Sequence, residues 1–160
     1  MKIVKHQKLL ILSLSGLLAV GGLMMNAISK FPTNWIPAQR AISQGLLTKI
    51  MSENSTGVDI DPEATKVLKL KGGIKLIDFN SPDLCGRAGC VYAAYTKEGS
   101  RKLHLILQPQ PDLFTISQES RNGIPCLEIK QPSGDKTIQH TYCYEGDKFI
   151  KTFSEVNNPS

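Results

Sequence analysis

The chain has 160 residues, 41% hydrophobic and 21% charged, a composition for one ordinary domain rather than a disordered or fibrous chain. Its formal net charge of +5 gathers at the start, where Lys2, Lys5 and Lys8 precede a long apolar run; from Ile28 onward 16 Lys and Arg face 14 Asp and Glu. So even a balance excludes the clustered basic face that a phosphate backbone selects, and no nucleic-acid partner is expected.

Taken in order, Met1 to Lys8 is basic and Leu9 to Met25 is an uncharged run of 17 residues. That is the layout of a secretory signal, and it also reaches the short end of what spans a bilayer as a helix. Ala27 could precede a cleavage site, although Met25 is large where a small side chain is preferred. Residues 1–27 are therefore expected to be a signal peptide or an N-terminal membrane anchor. In both cases the body lies outside the cytoplasm, in the periplasm or extracellular space or tethered to the outer side of the membrane.

Residues 28–36 read as a linker, 37–154 as a single domain and 155–160 as a flexible tail. Pro37 can open a helix, where its missing N–H is not needed. From Ala38 to Ser52, Ile42, Leu46 and Ile50 recur four apart and form one apolar stripe, predicting an amphipathic helix that lies on a sheet. Glu53 to Asp61 is a polar loop, and Asn54-Ser55-Thr56 matches the N-glycosylation acceptor. Asp61-Pro62-Glu63 predicts a short helix through Leu68, capped by Asp61. The lysines 66, 69, 71 and 75 read as a solvated face. Gly72-Gly73 breaks the chain before a strand over Ile74 to Phe79.

The remainder reads as a meander of short strands. These cover Cys90 to Thr96, Leu103 to Leu107 (where Leu103, Leu105 and Leu107 alternate with His104, Ile106 and Gln108), Leu113 to Ser117, Ile124 to Gln131, Thr137 to Tyr144 and Phe149 to Phe153. Pro109 and Pro111 end the second of these, Asn122-Gly123 is a turn, and Pro132-Ser133-Gly134-Asp135 predicts a hairpin. The expected fold is α+β: an N-terminal amphipathic helix packed on an antiparallel β-meander sheet of about six strands, stapled by disulfides.

All four cysteines follow the apolar run, and four cysteines allow three pairings. A two-residue turn at Gly134-Asp135 sets Ser133 opposite Lys136. Counting back along both strands then pairs Cys126 with Cys143 on a non-hydrogen-bonded rung, where Cα atoms approach to ~4.5 Å, within the reach of a disulfide. That leaves Cys85–Cys90 as a staple across a tight Gly-rich loop. A loop so held could present Arg87, or the backbone N–H groups of Gly86, Arg87, Ala88 and Gly89, to an anion or a partner. The plain reading is a structural staple.

The stretch Leu84-Cys85-Gly86-Arg87-Ala88-Gly89-Cys90-Val91-Tyr92 resembles a loose group of small exported bacterial domains. These carry an L-C-G-x-x-G-C motif where a strand begins, and later a turn like Tyr144-Glu145-Gly146-Asp147-Lys148-Phe149. The resemblance covers Leu76 to Phe153 and implies a periplasmic or cell-surface setting and a disulfide in the Cys85/Cys90 loop. It brings no activity and no catalytic residue. Many such domains carry small or Ser-rich residues where Arg87 stands here.

Signatures of chemistry are sparse. The C-x4-C spacing of Cys85 and Cys90, followed by a strand, differs from the C-x-x-C at a helix start that lowers a thiol pKa. Cys126 and Cys143 do not supply the second close pair of a structural zinc site. His104 and His140 sit in predicted strands with no ligand at metal spacing, and the carboxylate pairs Asp59/Asp61 and Asp78/Asp83 read as surface groups. No Walker loop, G-x-S-x-G or H-E-x-x-H is present. No cofactor and no metal are expected. The leading expectation is a non-catalytic, exported or membrane-tethered module of the cell envelope that binds another envelope protein or a surface ligand. Two alternatives stay open: a thiol–disulfide oxidoreductase using Cys85 and Cys90, and an accessory subunit of a membrane complex held by an uncleaved N-terminal helix.

Overall fold

The computed structural model describes residues 34–55 and 57–157. The signal or anchor expected over 1–27, most of the 28–36 linker, Thr56 and residues 158–160 lie outside the described residues. Among the described residues no helix is long and apolar enough to cross a membrane.

The strands, in chain order, are β1 (Ile36–Pro37), β2 (Lys66–Lys69), β3 (Lys75–Asp78), β4 (Cys85–Gly86), β5 (Gly89–Tyr95), β6 (Arg101–Leu107), β7 (Phe114–Arg121), β8 (Ile124–Ser133), β9 (Lys136–Tyr144) and β10 (Phe149–Asn157). The helices are α1 (Ala38–Ala41) and α2 (Gln44–Asn54). They form two antiparallel sheets rather than the single sheet of about six strands that the meander suggests. The first holds six strands: β1, β2 and β3 pair in turn, β3 and β4 share one edge of β5, and β6 takes the other edge. The second is β7 to β10 in plain succession. The split falls between β6 and β7, where Pro109 and Pro111 remove backbone donors and Asp112 turns through positive φ (55°). The chain leaves the sheet there and starts a new one.

Layering follows from side-chain alternation. One face of the first sheet contributes Leu68, Leu76, Tyr92, Ala94, Leu103 and Leu107 to a core shared with Phe114, Leu127, Ile129 and Phe149 of the second sheet. The opposite face contributes Val67, Ile77, Ala93 and Tyr95 to a second core, covered by Ala38, Ile42, Leu47 and Ile50. The first sheet is thus buried on both sides, which is why Val67-Leu68, Leu76-Ile77 and Ala93-Ala94 are apolar in adjacent pairs. The helix packed on a sheet is found as expected.

Three local expectations are corrected. The helix from Ala38 to Ser52 is broken at Ile42, whose extended backbone (φ −133°) separates α1 from α2. The break lets α1 hang from β2 by the Ala38 N–H bond to the Thr65 carbonyl at 2.9 Å, while Ile42 stays buried. The short helix from Asp61 through Leu68 is instead one turn followed by β2. Asp61 Oδ1 accepts the Glu63 N–H, and Val67 and Leu68 are pulled into a strand because each fills a different core. Glu155 to Asn157 do not form a tail; they pair with Gln139 to Thr137 at the end of β10.

Both staples form. Ser133 faces Lys136, the register continues to Leu127 opposite Tyr142, and Cys126 bonds Cys143 with Cα atoms 4.4 Å apart. Cys85 faces Cys90 and bonds it with Cα atoms 4.0 Å apart. Asn122 and Gly123 both take positive φ (52° and 74°), the signature of the two-residue turn whose twist suits a hairpin. The Asn54 side chain is committed to the interior: its Nδ2 donates to the Ile50 carbonyl at 2.7 Å and to Tyr95 Oη at 2.8 Å. That nitrogen is the atom a glycan would need, so the folded chain does not offer the acceptor that Asn54-Ser55-Thr56 suggests.

Candidate functional site

The expected ligand loop is a hairpin, not an open loop. Gly86 faces Gly89 and Cys85 faces Cys90, so Arg87 and Ala88 alone form the tip, and both are exposed. Arg87 joins no salt bridge among the described residues. Gly89 holds the hairpin against β6. Its φ is +123°, and a Cβ there would lie 2.3 Å from the Leu107 carbonyl, so only glycine fits. Gln108 fixes the tip from outside by donating its Nε2 to the Arg87 carbonyl at 2.8 Å.

The stapled hairpin leads directly into β5, and two residues past Cys90 stands Tyr92. Tyr92 faces Asp78 across the β3–β5 ladder. Together they line a cleft of about 550 Å³ at the mouth between the two sheets, with Trp35, Pro109, Gln110, Asp112, Leu113 and Phe114. Strand parity puts Asp78 on the same face as Leu76, at the open end of the shared core. Phe114 stands edge-on to both other rings, 6.0 Å from Trp35 and 5.1 Å from Tyr92. Phe114 and Tyr92 are buried, whereas Trp35 is half-buried and offers its ring to the cleft.

The electrostatics of this cleft are lopsided. Among the described residues no Lys, Arg or His lines it, but two carboxylates do. Burial pushes the Asp78 carboxyl up, while the Asn80 backbone N–H and the Lys66 charge across the ladder pull it down. The Asn80 N–H bond is 2.9 Å long. The Tyr92 hydroxyl is pushed up to about 12, first by burial and then by the neighbouring Asp78 charge, so it stays a hydrogen-bond donor across the physiological range. Gln110 spends one of its two side-chain N–H groups on the Lys130 carbonyl, leaving its side-chain oxygen as an acceptor and the other N–H as a donor.

Other candidates disperse. His104 is exposed on β6, and His140 bonds Ser154 at 2.6 Å; neither ring lines the cleft. Glu119 lies near the sulfurs of Cys126 and Cys143, but the disulfide consumes both thiols as ligands. The lysine group splits: strand alternation puts Lys66 on the face of Leu68 and Lys69 on the face of Val67. A second cleft, about 580 Å³, runs between Lys69–Lys71 and the β7 bulge around Ser117 and Gln118.

Of the residues singled out in the sequence, Cys85, Cys90 and Gly86 to Gly89 lie in the hairpin that feeds β5 without lining the cleft, and Cys126 and Cys143 lie in the other sheet. Trp35, Asp78, Tyr92 and Phe114 escape sequence reasoning as a group. One signal was present: Asp78, which the sequence suggests is a surface group, is half-buried instead, because it closes β3 on the parity of the buried Leu76. Comparison of the chain with protein-family models, with curated proteins and with solved structures gives no match.

Proposed function

We propose that this protein is a non-catalytic binding module that works outside the cytoplasm, exported or tethered by its N-terminal segment, and that its ligand or partner group seats in the cleft of Trp35, Asp78, Tyr92 and Phe114. One observation carries the reading. A half-buried carboxylate, held beside a phenol and two other aromatic rings at the open end of a core, is a costly arrangement that packing alone does not require. Among the described residues the lining holds no thiol, Ser or Thr hydroxyl, imidazole or amine, and nothing in it pairs a nucleophile with a base that would activate its carboxylates or the Tyr92 hydroxyl. Two disulfides and no free cysteine support an oxidising compartment.

The test is photocrosslinking in the native host. A photoreactive residue replaces Asp112 on the cleft rim or Asp135 at the far hairpin tip. An adduct of any mass at position 112 and none at 135 supports the reading, whereas equal labelling or none at 112 overturns it.

The oxidoreductase reading keeps one observation in its favour. Cys85 is exposed, while Cys126 and Cys143 are sealed at 0%. Its test is the pair of substitutions Cys85→Ser and Cys90→Ser: an oxidoreductase loses its activity outright, while a binding module keeps its crosslink at 112. The membrane-subunit reading predicts a full-length chain that co-purifies with its complex in detergent.

A further inference from the structure

We propose that the cleft takes an organic ammonium group, with the positive charge seated on Asp78 and its methyl or methylene groups against the ring of Trp35. This deepens the reading of the cleft as the binding site and rests on it. The lining offers acceptors in excess: the carboxylates of Asp78 and Asp112 and the free side-chain oxygen of Gln110. Against them the side-chain donors of the described lining are the Tyr92 hydroxyl, the Trp35 indole N–H and the second N–H of the Gln110 amide. An anionic ligand would meet two like charges and, among the described residues of the lining, no cation. A neutral ligand could use the Trp35 ring but would leave the Asp78 charge uncompensated in a site that has already stripped much of its water. A cation relieves that burial cost and gains from the face of an aromatic ring at the same time. Lys66 is the one basic group set against Asp78, and it remains exposed, outside the lining and without a salt bridge to it. An incoming ammonium therefore does not have to displace a bound cation.

The source of the ammonium is a small amine or the end of a lysine side chain, and one titration separates them. Trp35 is the only tryptophan of the chain, so its emission reports on the cleft without a label. The oxidised full chain is titrated with choline, with N-acetyl-lysine methylamide, and with 3,3-dimethylbutanol as the neutral isostere of choline. The expected result is a saturable change in Trp35 emission with a charged probe. The affinity should be about tenfold weaker, or worse, for the neutral isostere and for the Asp78→Asn variant. Tighter binding of choline points to a methylated small amine, and tighter binding of the lysine amide to a protein side chain. Asp78→Asn keeps an oxygen for the Asn80 N–H, and its thermal unfolding shows whether it is folded. Equal affinity for the charged and neutral probes, or unchanged affinity in Asp78→Asn, overturns the ammonium proposal while the cleft itself stands as a binding site. No response to any probe also overturns it, and the crosslink at position 112 then decides separately whether the cleft binds anything.

Discussion

Gln131 holds the backbone of Gln108 at both its N–H and its carbonyl. Its Oε1 accepts the Gln108 N–H at 2.9 Å and its Nε2 donates to the Gln108 carbonyl at 3.2 Å. A side chain of the second sheet thus stands in for a missing strand at the end of β6, and Gln108 passes the restraint on to the hairpin tip. Gln131 Nε2 also donates to the Lys130 carbonyl; Gln131→Ala is expected to cost about 1 kcal/mol, because three partly solvated bonds are lost and water replaces them. The melting temperature should fall by about 4 °C. An unchanged melting temperature would show the clamp to be idle.

Asp78 should destabilise the empty protein at neutral pH. Burial sets its folded-state pKa above its ordinary value. Between the unfolded and folded values the folded chain holds a proton that the unfolded chain has released, so stability falls as pH rises through that window and stays lowered above it. The groups facing this carboxyl are Lys66 on β2, Tyr92 on β5, the Asn80 N–H and Asp112 across the mouth. Asp78→Asn is therefore expected to raise the melting temperature at pH 7, and the gain should vanish as the pH is taken below the ordinary carboxylate range. A variant less stable than the parent at pH 7 would sink this account.

The two staples should differ in what they stabilise. Cys126 and Cys143 are 17 residues apart, and the chain-entropy model assigns such a loop about 3 kcal/mol against about 2 kcal/mol for the six-residue loop of Cys85 and Cys90. Cys126→Ala with Cys143→Ala should therefore lower stability more than Cys85→Ser with Cys90→Ser. Denaturant titration of both double variants tests the order. The second pair should instead disturb emission from Trp35, because its hairpin feeds β5 beside the cleft.

Gly89→Ala and Gly86→Ala make a matched comparison within one hairpin. At Gly89 the new methyl meets the Leu107 backbone, and the φ of +123° is one that alanine resists. The expected cost is about 3 kcal/mol. At Gly86 the methyl meets open space, and the change should stay within about 0.5 kcal/mol. Similar losses at both positions would mean that the contact with Leu107 is not what fixes the hairpin.

Much of the fold was legible in the residues, and the failures have physical causes. Cys126 and Cys143 could be paired because Gly134-Asp135 fixes a register that runs unbroken from Ser133 back to Leu127. Alternation revealed β6 because its Leu103 and Leu107 face the core while His104 and Ile106 are exposed. It failed at β2, where Val67 and Leu68 serve opposite cores and the period-two signal cancels. The division into two sheets turns on how the chain passes Pro109 and Pro111, and prolines mark a stop without saying where the next strand will go. The cleft was invisible for a related reason. Trp35, Asp78, Tyr92 and Phe114 come from four separate stretches and meet only once the sheets are stacked.

Each disulfide joins cysteines that are neighbours in the order of synthesis: the first to the second, the third to the fourth. No bridge waits for a distant part of the chain, and none encloses another. A chain that meets an oxidant as it emerges will make its correct bonds simply by pairing each thiol with the next one to arrive. Wired in this way, the chain offers an isomerase no long-range mispairing that its own order of synthesis favours.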